Sequence, residues 1–190
     1  MTRHPLDPLA RDEIAAASAI VRREGGLSLE AWFETIALEE PRRRHEAGEA
    51  PPREAFVACY DPATGETWDG VVDLSGRRLR HWARAQGQAR IVADEFAAGG
   101  LAAKADPRFI EALAKRGITD LDSVLVEAWA AGHFGIAEEE GQRLAYGHCW
   151  VRNAAGDNPY ARPIANLHPV IDLRNMKLLR LDDFGVVPLP

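Results

Sequence analysis

The 190-residue chain is 46% hydrophobic and 27% charged, the proportions of a folded globular protein rather than a disordered one. Its net charge of −6, with basic residues dispersed apart from Arg42-Arg43-Arg44, excludes the basic surface that nucleic-acid phosphates require. No apolar stretch approaches a membrane span, and Met1-Thr2-Arg3-His4 leads into a polar segment rather than a signal-peptide core, so we expect no nucleic-acid partner, no membrane partner and a cytoplasmic location.

Asp7-Pro8 offers an N-cap followed by proline at a first helical position, and Ala10, Ile14, Ala17 and Val21 then recur at helical spacing. Arg22 and Arg23 suit the negative end of the helix dipole, and Gly25-Gly26 supplies the stop. Strands are expected at 32–40, 54–61, 66–74 and 78–83, with Pro62-Ala63-Thr64-Gly65 and Ser75-Gly76 as turns. Arg42-Arg43-Arg44, followed by His45, Glu46 and Glu49, reads as a solvated loop.

The second half repeats this order. Residues 94–105 read as a broken helical stretch, because Gly99-Gly100 interrupts them, and Asp106-Pro107 caps a further helix carrying Phe109 and Leu113 on one face before Gly117. Strands follow at 123–130, 143–152, 168–174 and 177–183, the last two joined by a tight turn at Asn175-Met176. The expected architecture is α+β: two small cystatin-like domains, each a helix packed on a four-stranded antiparallel sheet, spanning 1–86 and 87–190 with the join near Gln86-Gly87-Gln88. Ile14, Val21, Phe56 and Val72 are expected in one core, and Phe109, Leu113, Val126 and Ile171 in the other.

The residues advertise little chemistry. Cys59 and Cys149 lie in apolar runs and read as buried reduced thiols. The six histidines are scattered without H-x-H or H-E-x-x-H spacing, and His148 and Cys149, as strand neighbours, point to opposite faces. There is no nucleophile elbow, Walker loop or dinucleotide fingerprint, so no catalytic residue and no metal ligand is assigned. Tyr160, between Pro159 and the Ala161-Arg162-Pro163 step, is held by restricted backbone either as a plug for its own core or as a surface for something else.

Six segments taken in order give the chain a family likeness: "HPLDPLARDEIAAASAIV" at 4–21, "DEFAAGG" at 94–100, "DPRFIEALAKRGITD" at 106–120, "VEAWAAGHFG" at 126–135, "NPYARPIANLHPVIDL" at 158–173 and "DDFGVVPLP" at 182–190. Together they resemble the N2 and N3 domains of bacterial-type copper-containing amine oxidases. The resemblance implies two helix-on-sheet domains that pack on a larger C-terminal catalytic domain, in a parent that is a homodimer using a copper ion and topaquinone to oxidise primary amines to aldehydes. It also implies that this chain lacks that catalytic domain and has no cofactor of its own. The family's topaquinone tyrosine follows an asparagine, and none of Tyr60, Tyr146 and Tyr160 does. By the same resemblance, Phe96 and Tyr160 match positions where the N3 domain lends aromatic rings to the mouth of the amine channel. A free-standing cystatin-like binding or inhibitory module is the alternative, although "DGVVDLSG" at 69–76 lacks the glutamine of the inhibitory hairpin.

Overall fold

A computed structural model describes residues 4, 6–40 and 52–188. The run Arg42-Arg43-Arg44 with His45, Glu46 and Glu49, expected as a solvated loop, lies outside the described residues. The described residues form two compact units that divide between Arg90 and Ile91.

In the first unit, helix α1 (Arg11–Glu24) packs on strands β1 (Trp32–Glu39), β2 (Glu54–Asp61), β3 (Glu66–Asp73) and β4 (Arg78–Arg84), which form an antiparallel meander in the order β1-β2-β3-β4. The helix starts after Ala10 rather than at Asp7-Pro8. Glu13 reaches back to accept the Ala10 N–H at 2.8 Å, satisfying a donor that the first turn leaves unpaired. Arg53 bonds both Glu13 oxygens while donating to the Asp7 and Pro8 carbonyls, so Asp7-Pro8 becomes a tethered lead-in instead of a cap. Ile14 shares a helix face with Val21 but is 39% exposed, because the buried part of α1 begins only at Ala17 and continues through Ile20 and Val21.

The alternation of β2 sends Ala55, Val57 and Cys59 into the core beneath α1, where Val72 joins them. Phe56 has the opposite parity and is half-buried outside that core, a correction to the expected core set. The far end of α1 is sewn to β4: the Trp82 indole N–H donates to the Gly25 carbonyl at 3.1 Å, and the Leu79 N–H donates to Glu24 at 2.8 Å.

The second unit carries two helices, α2 (Ala93–Ala105) and α3 (Pro107–Lys115), with strands β5 (Val124–Ala130), β6 (Leu144–Val151), β7 (Leu167–Asp172) and β8 (Lys177–Asp183) in antiparallel order β5-β6-β7-β8. The expected break in α2 does not occur, for the glycines serve packing. A Cβ at Gly100 would stand 2.4 Å from the Val126 carbonyl oxygen and one at Gly99 2.9 Å from the Ala128 Cβ, so α2 lies on β5 at a distance no side chain permits. Phe109, Leu113, Val126 and Ile171 are buried together, as expected, around Ala128 and Cys149. Asp106 caps α3 by accepting the Arg108 N–H at 2.9 Å, with Pro107 at the first helical position.

A buried ion pair fixes the start of α2 to the sheet. Glu95 accepts two 2.6 Å bonds from Arg143 with both side chains almost wholly buried, and also accepts the Val92 N–H at the helix start. Among the described residues no helix is long and apolar enough to cross a membrane.

Candidate functional site

The sheet of the second unit has two unlike faces. Val124, Val126 and Ala128 of β5 turn toward the helices, so Leu125, Glu127 and Trp129 occupy the other face, opposite Trp150, His148 and Tyr146 of β6 respectively. That pairing gathers aromatic and ionisable groups on one surface.

Proline decides how Tyr160 reaches this surface. β6 and β7 pair only through Leu144, Ala145 and Tyr146, and beyond them Gly147 faces Pro169, whose ring would lie 2.4 Å from an added Cβ. The ladder of β6 past that point is taken up by the segment after Tyr160: the Val151 N–H donates to the Arg162 carbonyl at 3.0 Å, and the Ile164 N–H to the Cys149 carbonyl at 2.9 Å. Ile164 is buried and anchors the segment. Asn158 folds the turn before it by accepting the Tyr160 N–H at 3.0 Å.

Tyr160 is 51% exposed, yet both ends of its ring are held. Its ring meets that of Trp150 edge-on at 5.3 Å, and its hydroxyl donates to Glu127 Oε1 at 2.5 Å. The other oxygen, Oε2, accepts the Trp129 indole N–H at 3.1 Å. Trp129 is itself 55% exposed and packs edge-on with Phe96, half-buried in the first turn of α2, at 6.0 Å between ring centroids. Phe96 and Tyr160 thus belong to one contiguous cluster, joined through Trp129 and Glu127. The Glu127 carboxylate raises the Tyr160 phenol above its ordinary value, chiefly by accepting its proton in a hydrogen bond, so the phenol stays protonated at neutral pH.

Sequence reasoning singled out Phe96 and Tyr160 and missed Glu127, Trp129 and Trp150. The available signal was the alternation in "VLVEAWA", which puts an acid and a tryptophan on the face not used for the core. A second network lies on the same sheet face: Glu139, from the acidic run 138–140, accepts from the Tyr146 hydroxyl at 2.7 Å and from Arg180 at 2.7 Å. Glu139 raises the Tyr146 phenol in the same way.

A copper ion needs several histidine, cysteine or carboxylate side chains converging on one point. Among the described residues no group of three or more such side chains does so, and the residues present therefore do not fit the family's metal.

Comparison with known proteins agrees with the resemblance. Residues 94–190 match the family model described as "Copper amine oxidase, N3 domain", and residues 10–81 match "AGAO-like N2 domain". The chain is 41% identical over 191 residues to the primary amine oxidase of Arthrobacter sp. (strain P1), covering 98% of this chain and 29% of that protein. It is 30% identical over 196 residues to the histamine oxidase of Arthrobacter globiformis, covering 99% of this chain and 28% of that one. The crystal structure of a copper-containing benzylamine oxidase from Hansenula polymorpha superposes with a TM-score of 0.73 at 20% identity, over 97% of this chain and 32% of that chain, and shares the fold. The chain thus spans under a third of the length of these relatives. It belongs to the copper amine oxidase family and corresponds to that family's N2 and N3 domains.

Proposed function

We propose that the chain is the non-catalytic N-terminal region of a copper- and topaquinone-dependent primary-amine oxidase, with an N2-like domain at 1–86 and an N3-like domain at 87–190. The parent would convert a primary amine, oxygen and water to an aldehyde, ammonia and hydrogen peroxide. In that parent, a homodimer, the two domains pack on the catalytic domain, and the second lends Phe96 and Tyr160 to the entrance of the amine channel.

One observation carries this reading: Phe96, Trp129, Glu127 and Tyr160 form a connected cluster with two half-exposed rings. Exposed aromatic faces attract an ammonium through the ring quadrupole and also accept the apolar tail of an amine, which suits a passage for organic amines. The backbone that holds Tyr160 is independently anchored by Ile164 and by bonds to β6, so the ring can be changed without unseating the loop.

The test is Tyr160→Ala in the oxidase that carries this chain. The ratio of kcat/KM values for benzylamine and methylamine is expected to change by about tenfold, while the melting temperature moves by only a few degrees. An unchanged ratio would remove Tyr160 from the amine path.

A further inference from the structure

Glu127 is a carboxylate only 8% exposed, bonded to two exposed aromatic side chains, and its two hydrogen bonds come from neutral donors. Among the described residues no lysine or arginine pairs with it, and its cross-strand neighbour is His148. No fixed cation among the described residues therefore offsets a carboxylate at this position. Both donors belong to aromatic systems. A phenol O–H or an indole N–H donating to an anion pushes electron density back into its ring, and an electron-richer face holds a cation more strongly.

We infer that Glu127 is a specificity-determining residue that turns the Trp129 and Tyr160 faces into an ammonium-selective patch. The inference rests on the channel-entrance reading above and extends it to a substrate class: amines that carry a second cationic group. A monoamine presents its only ammonium to the reacting centre and has an apolar tail left for the entrance, whereas a diamine leaves an ammonium there. The charge of Glu127 distinguishes the two. Glu127 also positions the rings, since each oxygen holds one of them, and the two roles separate by substitution. Glu127→Gln keeps the shape, can still accept the Trp129 N–H through its amide oxygen while its NH2 donates to the Tyr160 hydroxyl, and removes the charge; Tyr160→Phe keeps the ring and charge and removes one tether.

The first measurement uses the 190-residue chain and titrates it with 1,4-diaminobutane or butylamine, following the Trp129 indole N–H signal by NMR. The diamine is expected to shift that signal at lower concentration than butylamine, and Glu127→Gln to weaken the diamine by about five- to tenfold while leaving butylamine less affected. Equal binding of the diamine by wild type and Glu127→Gln would overturn the inference.

The second measurement compares kcat/KM for the same two amines in the oxidase. Glu127→Gln is expected to lower the diamine-to-monoamine ratio by about five- to tenfold, mainly through KM, with Tyr160→Phe intermediate. If Tyr160→Ala alters amine selectivity and Glu127→Gln does not, the entrance reading stands and the role of Glu127 falls. If neither variant alters selectivity, both fall.

Discussion

Cys149 lies in the core of the second unit, and desolvation pushes its thiol from an ordinary value of 9.0 up to about 12. Cys59, buried under α1, is raised to about 12 by the same cause. The unfolded chain loses these protons first, so between pH 9 and pH 12 it binds fewer protons than the folded one, and stability falls as pH rises through that window. At pH 8 a thiol with a value of about 12 is ionised only about once in ten thousand molecules. Iodoacetamide at that pH is accordingly expected to leave both cysteines unmodified in the native chain and to modify both in urea, as read by mass. The Glu95–Arg143 pair makes a different demand at the residue scale: Glu95→Ala takes the carboxylate from a buried guanidinium and is expected to cost the second unit about 3–5 kcal/mol in urea unfolding, with the first unit unaffected.

At the scale of elements, Gly99 and Gly100 show how a correct local rule misleads. In isolation two adjacent glycines weaken a helix by about 1 kcal/mol each, which is why 94–105 reads as broken. The contact with β5, invisible in a local window, makes the same glycines a condition of the packing. Gly100→Ala places a methyl against the Val126 carbonyl, a backbone atom that cannot turn aside, whereas Gly99→Ala meets the Ala128 methyl. Despite the propensity gain, Gly100→Ala is expected to destabilise by about 1–3 kcal/mol and Gly99→Ala by less, measurable as the order of melting temperatures. The strands, by contrast, were legible because alternation and turn residues are local; all eight fall within a few residues of their expected places. Phe56 lies outside the core although its strand falls where expected, since hydrophobicity marks a strand but parity assigns the face, and β2 has apolar residues on both. The site divided along the same line. Tyr160 stood out through its flanking prolines, while Glu127 acquires meaning only from a hydroxyl 33 residues away that the β6 edge brings to it.

For the whole molecule, two helix-on-sheet units with separate cores support an arrangement in which neither depends on the other for its interior. The chain incubated with copper and oxygen is expected to remain colourless and to release no peroxide from amines, because the described side chains do not converge as a metal ion needs; a quinone absorbance would refute this. The central claim is that the aromatic surface of the second unit borders the path of the amine. It is tested most directly by hydroxyl-radical footprinting of Trp129 and Tyr160 in the oxidase with and without a slowly turned-over amine. The account predicts that both rings, about half exposed in this chain, stay labelled in the free oxidase and are shielded when the amine is present. Rings already shielded without the amine, or labelled equally with and without it, would contradict the account.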